Sequence, residues 1–144
     1  MMIIKQISVF VENKAGRLAD ITAVLGRAGI DIRFLSIADT SDFGILRMLV
    51  NRPEEAVQVL KEAGLTAKIT DVIGVRMSDV PGTFAGVAKI MADVNISIDY
   101  MYAFISRKTN EAFLIMRIEE IETGMEALKA HGVALLPSEE LYDL

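Results

Sequence analysis

The chain is 144 residues long, 52% hydrophobic and 24% charged. That is length enough for one ordinary domain or two very small ones, and the composition excludes an intrinsically disordered chain. The absence of cysteine excludes a disulfide framework, thiol catalysis and thiolate metal sites and suits a reducing cytoplasm, while a formal charge of −5 with no local basic patch sets the chain against phosphate backbones. Nucleic acid is therefore not an expected partner. Nor is a membrane, because no apolar run approaches the roughly 18 residues of a spanning helix.

The opening MMIIKQISVFVE is interrupted by Lys5 and Gln6, and Ile7, Val9 and Val11 alternate onto one face, so it reads as a half-buried strand rather than a leader. A helix follows Gly16, with Leu18, Ile21, Val24, Leu25 and Ala28 at helical spacing and Gly29 to end it. IDIRFLSIA reads as a second strand, TSDFG as a turn and ILRMLV as a third strand. Pro53 suits the first turn of a second helix, where its missing N–H removes nothing, and Gly64 stops that helix before a short strand TAKIT.

The order then repeats. DVIGVRM is a strand, Phe84–Asp93 a helix and Ile96–Ser106 a longer strand. RKTN is a hairpin, EAFLIMRI a strand, Glu122–Ala130 a helix and VALLP a strand. Displaced by 66, Ile7, Val9, Gly16, Ala19, Ile30 and Ile32 fall on Ile73, Val75, Gly82, Ala85, Ile96 and Ile98. After two inserted residues in the hairpin the offset becomes 68, and Leu46, Met48, Leu60 and Gly64 fall on Leu114, Met116, Leu128 and Gly132. Each copy is a βαββαβ unit, so the expected class is α+β, two ferredoxin-like units in tandem, each an antiparallel sheet with its helices on one face. The division falls at residues 1–70 and 71–144, with no Pro- or Ser-rich linker. A unit of this size buries a modest core and leaves sheet edges open, which gives a physical reason for duplication and for a homodimer.

The turn from first strand to first helix carries the functional signal. Gly16 and Gly82 let a ligand approach backbone, and the first helical N–H groups have no internal partner and sit at the positive end of the helix dipole. A carboxylate suits such a place. Asn13 and Asp79, three residues before each glycine, are able to cap the helix or to grip an ammonium group. The second strand, fed directly by the helix, is expected to begin nearby and complete a clamp on a zwitterion with its edge groups. The residues alone lead to a place for a small anion or zwitterion, with an ordinary capped turn as the alternative.

DVPGTFAGVAKIMADVNISI resembles the signature of the ACT domain, a small-molecule-binding module of amino-acid metabolism. Asp79, Pro81, Gly82, Asn95 and Ile96 match its Asp-x-Pro-Gly-x-Leu and Asn-Ile elements, with Phe84 in place of the leucine. The first copy is similar more loosely, through Gly16, Leu18 and Ile30, with Asn13 for the Asp, Ala15 for the Pro and Gly29 for the Asn. The resemblance implies a regulatory protein that binds a free amino acid between the glycine loop of one unit and the start of the second strand of its neighbour. By position the loops are Asn13, Lys14, Ala15, Gly16, Arg17 and Leu18, and Ser78, Asp79, Val80, Pro81, Gly82, Thr83 and Phe84. The facing strand residues are Ile30, Asp31 and Ile32, and Asn95, Ile96 and Ser97. The departures at Asn13 and Ala15 imply unequal sites.

Other candidates are weaker. His131, the sole histidine, ends a helix and is joined by no metal-ligand cluster, and the acidic runs EEIE and SEEL read as solvated helix ends. Tyr100, Tyr102 and Phe104 line one strand face like an RNA-stacking platform, but the basic residues it needs are missing, so packing against the other unit or another chain is expected. No nucleophile–base pair is recognisable, and Gly16–Arg17 lacks the surroundings of a phosphate loop. The expected function is a non-catalytic, cofactor-free amino-acid sensor that acts on a partner enzyme or regulator. The alternative is a ligand-free protein-interaction module.

Overall fold

The computed structural model describes residues 1–39 and 42–141, so Thr40 and Ser41 of the predicted TSDFG turn lie outside the described residues. The chain divides into two compact units, Lys5–Thr70 and Asp71–Leu144 joined by Met1–Ile4. Both have the expected α+β, ferredoxin-like arrangement.

In the first unit β1 (Ile3–Glu12), β2 (Ile32–Asp39), β3 (Phe43–Val50) and the start of β4 (Thr66–Ser78) lie in the order β2-β3-β1-β4. Antiparallel register sets Val9 opposite Leu46 and Leu35 opposite Met48. Ser8 Oγ and Thr70 Oγ1 are 3.0 Å apart across β1 and β4. Alternation along β1 buries Ile7, Val9 and Val11, and helices α1 (Arg17–Arg27) and α2 (Pro53–Glu62) close over them with Ile21, Leu25, Ala56 and Leu60. Those four are spaced by one helical turn, which puts each pair on a single face. Gly29 at φ 69° and Gly64 at φ 82° take the left-handed position that ends each helix. Arg52 Nη2 donates to the carbonyls of Gly29 (2.6 Å) and Ala28 (3.1 Å), so the end of α1 is tied to the start of α2.

The second unit repeats the plan with β7 (Ala134–Leu135), the later part of β4, β6 (Glu111–Arg117) and β5 (Tyr100–Ser106) in the order β7-β4-β6-β5. Val75 faces Leu114, and Ala103 faces Leu114 from the other side. Helices α3 (Thr83–Asp93) and α4 (Ile121–Ala130) supply Val87, Met91, Met125 and Leu128 to a core with Ile73, Val75 and Met116. A short helix α5 (Ser138–Leu141) buries Leu141, pairs Glu140 with Arg76 at 2.5 Å and pairs Glu139 with the N-terminal ammonium.

Three boundaries differ from the sequence reading. TAKIT and DVIGVRM form one continuous strand of 13 residues, because nothing between Thr66 and Ser78 breaks extended backbone except Gly74, whose Cα fits beneath Ile4 and Leu136. The strand expected from Ile96 begins at Tyr100: Ile96 and Ile98 turn into the core instead, and the chain meets β6 first through Asp99 N–H, which donates to Arg117 O (2.9 Å). VALLP yields two strand residues, since Pro137 has no N–H for a ladder. Phe104 stacks on Phe113 of the adjacent strand (centroids 5.1 Å), with the Arg76 guanidinium 5.7 Å from the Phe113 ring centre.

Candidate functional site

The two glycine loops are the same structure built twice. Gly16 and Gly82 are the N-cap residues of α1 and α3, at φ 88° and 91°. Lys14 N–H donates to Glu12 O (2.8 Å) as Val80 N–H does to Ser78 O (2.9 Å). Arg17 N–H reaches Lys14 O (3.2 Å) as Thr83 N–H reaches Val80 O (3.3 Å), and Asp20 and Gly86 close the first helical turns onto Gly16 O and Gly82 O. Asn13 N–H donates to Asp42 O (2.9 Å) and Asp79 N–H to Asn110 O (3.0 Å), which pins each loop to the hairpin of its own unit.

The N-cap position of each helix is the glycine itself, which has no side chain with which to cap, rather than Asn13 or Asp79 three residues before it. The left-handed glycine occupies the cap position, and in the second loop Thr83 Oγ1 bonds back to Val80 O at 3.0 Å. Among the described residues no partner meets the N–H groups of Leu18 and Ala19 in one loop or of Phe84 and Ala85 in the other. These are the donors a helix start leaves for an anion. Neither glycine has any atom within 4 Å of the place a Cβ would occupy, so each loop has open space beside its backbone.

Within one unit the loop and the start of the second strand do not meet. They lie at opposite ends of an 11-residue helix, about 16 Å apart at 1.5 Å per residue. The expectation of an adjacent strand start is therefore corrected for a single unit. Ile30 and Ile96 are buried in their cores, and Asp31 N–H is taken by Asn51 Oδ1 at 3.0 Å while Asp31 Oδ2 accepts from Arg33 (3.1 Å). Asn95, Ile96 and Ser97 border a hollow of about 200 Å³ whose other walls are Asp99, Glu119 and Glu120, an acidic setting suited to an ammonium group. Asn95 and Gly29, mismatched in the sequence comparison, do the same work, as left-handed residues after α3 and α1 followed by Ile96 N–H to Met91 O (2.9 Å) and Ile30 N–H to Leu25 O (3.0 Å).

The first loop borders a cavity of about 280 Å³ lined by Asn13, Lys14, Arg17 and Leu18 with Val11, Glu12, Ile37 and Gly44. Glu12 Oε2 lies 3.1 Å from Lys14 Nζ and 3.9 Å from Arg17 Nη2. The Lys14 hydrogen bond, with the charges of Lys14 and Arg17, holds the Glu12 carboxyl below its ordinary range. In the second loop Ser78 and Thr83 open onto a hollow of about 710 Å³ bounded by Lys89, Ile90, His131 and Val133. His131 ends α4 as expected, its Nδ1 2.8 Å from Ala127 O, and its ring also borders this hollow. Glu12, Ile37, Gly44 and the His131–Ala134 wall were not singled out from sequence. Only Glu12 carried a usable signal there, as an acid two and five residues before two cations at a glycine turn. Among the described residues no group of three or more His, Asp or Glu is placed to hold a metal ion.

A family model described as ACT domain pair matches residues 2–144. No curated protein matches the chain. Among solved structures, protein BT0572 from Bacteroides thetaiotaomicron is 39% identical, with 99% of this chain and 98% of that one covered and a TM-score of 0.92. The ligand-free regulatory subunit of aspartate kinase from Thermus thermophilus is similar at 16% identity, covering 88% of this chain and 91% of that one, with a TM-score of 0.63. The corresponding subunit from Thermus flavus is similar at 15% identity, covering 99% and 97%, also with a TM-score of 0.63.

Proposed function

The chain belongs to the ACT domain pair family, and from that membership we propose that it is a cytoplasmic amino-acid sensor built of two ACT domains, residues 1–70 and 71–144, that performs no catalysis. The observation that carries this reading is the duplicated glycine loop, with unpartnered helix N–H groups and open space beside a left-handed glycine in both copies. A ligand carboxylate meets these N–H groups. Its ammonium group is met by polar residues such as Asp79 or by the acidic hollow at Asn95–Ser97 of a second copy of the chain. The regulatory subunits of aspartate kinase with the same fold support a regulatory role. A homodimer brings a loop and a strand start together where one unit cannot, and occupancy shifts a partner enzyme or regulator only through differential affinity for two states.

Thermal denaturation across the twenty amino acids tests this. Ligand that binds the folded state alone raises the melting temperature in proportion to the logarithm of its concentration over Kd. One or a few amino acids are expected to give a selective rise, and Gly82→Val is expected to remove or reduce it in a chain that still folds. A flat response at millimolar concentration refutes the sensor and leaves the alternative of a ligand-free interaction module.

A further inference from the structure

The first loop differs from the second in its charges as well as its cavity. Lys14 and Arg17 occupy positions taken by Val80 and Thr83, and among the described residues that line the cavity the only acid is Glu12. Two cations share that single carboxylate at 3.1 and 3.9 Å, leaving one positive charge in excess among the described residues at the cavity mouth. Behind the mouth the walls are apolar: Val11 is buried, while Leu18 and Ile37 are 40% and 52% exposed and gain burial from any apolar guest. At about 280 Å³ the space lies just below the pockets of roughly 300–1,000 Å³ that take drug-sized ligands. The ionised Glu12 is occupied by Lys14 and Arg17, so among the described lining residues no uncommitted carboxylate is left for an ammonium group.

On the reading of this loop as a ligand site, we propose that its cavity selects a short-chain aliphatic monocarboxylate, held by Lys14 and Arg17 with its chain against Val11, Leu18 and Ile37, and that an α-ammonium group is not required. Branched aliphatic amino acids and their 2-oxo acids are then ligands of one class. The incoming carboxylate takes over part of the role of Glu12, and its charge-assisted hydrogen bonds are made at the edge of an apolar wall, where screening is weaker than in open water.

The test uses the full chain and three probes in thermal denaturation and titration calorimetry: L-leucine, 4-methyl-2-oxopentanoate, and leucinamide, which lacks the carboxylate. Leucine and the oxo acid are expected to raise the melting temperature by comparable amounts and leucinamide to give no rise. Lys14→Gln with Arg17→Gln is expected to weaken binding of both acids about tenfold or more, the loss for hydrogen bonds to a charged group. Because the melting temperature without ligand reports whether that variant folds, and because added salt weakens the same contacts in the unaltered chain, a poorly folding variant does not remove the test. A response to an amino acid with none to the oxo acid overturns the inference and leaves the sensor reading intact. So does binding that survives the double substitution or is insensitive to salt. Silence of all twenty amino acids and of the oxo acid overturns both.

Discussion

Replacing Gly82 separates backbone strain from ligand contact. The residue sits at φ 91° with no atom within 4 Å of a would-be Cβ, so a small side chain meets no neighbour and its effect on stability comes from the left-handed backbone alone. An L-residue in that region costs roughly 1–2 kcal/mol, and asparagine, whose side chain bonds locally, costs less. At an ordinary φ the same glycine-to-alanine change would stabilise by about 0.4–1 kcal/mol, by restricting the unfolded chain. The sign therefore reports the conformation. With a urea slope of about 1–3 kcal/mol per molar, Gly82→Ala is expected to lower the unfolding midpoint by roughly 0.5–1 M and Gly82→Asn by clearly less. Gly16, at φ 88° and equally unobstructed, is expected to show the same pair of values. The reasoning is refuted if Gly82→Ala matches or exceeds the stability of the unaltered chain. It is also refuted if asparagine costs as much as alanine, which would require a steric contact that is not there.

Two further outcomes follow from packing and charge. Gly74→Val would set a Cβ 3.0 Å from Ile4 Cδ1 and from Leu136 Cβ, and because the latter cannot swing away, overpacking of about 1–3 kcal/mol is expected as a lower melting temperature; an unchanged value would mean the strand has slack at this point. Glu54 is held below its ordinary pKa of 4.5 by the hydrogen bond from Lys5 Nζ at 2.5 Å, so the stability it contributes is present above that value and is lost as pH falls through the lowered folded-state value. Glu54→Gln is expected to flatten the acid limb of stability against pH slightly, the pair being exposed, and to leave the slope above pH 6 or so unchanged.

The elements legible in the sequence were those whose period is local. Ile7, Val9 and Val11 announce a strand and Ile21 and Leu25 a helix face, because burial of one side imposes that spacing whatever lies beyond. What escaped depended on distant partners. The late start of β5 has no local marker, since Asn95 turns left-handed after α3 as Gly29 does after α1, yet β2 begins at Ile32 and β5 only at Tyr100. The uninterrupted β4 follows from Gly74 being needed for close packing under Ile4 and Leu136 rather than for a turn. The glycine loops were legible as turns at helix starts, while the cavity beside the first was not, because Ile37 and Gly44 reach it only once β2 and β3 are folded.

The duplication allows backbone and side-chain requirements to be told apart inside one chain. Wherever the two loops must make the same hydrogen bond, they do so with unrelated side chains: Lys14 against Val80, Arg17 against Thr83, Glu12 against Ser78. The turn thus needs the glycine and places no demand on those neighbours, so their charges answer to something other than folding of the loop. In the first copy they leave a cationic excess beside an apolar hollow, and in the second they leave Asp79 as the loop's one charge. A carboxylate favours the first setting and an ammonium group the second by sign alone, each by an amount that salt reduces. Two sites of equal affinity for one ligand would require these opposite charges to be energetically silent, and their position beside the free helix N–H groups argues against that.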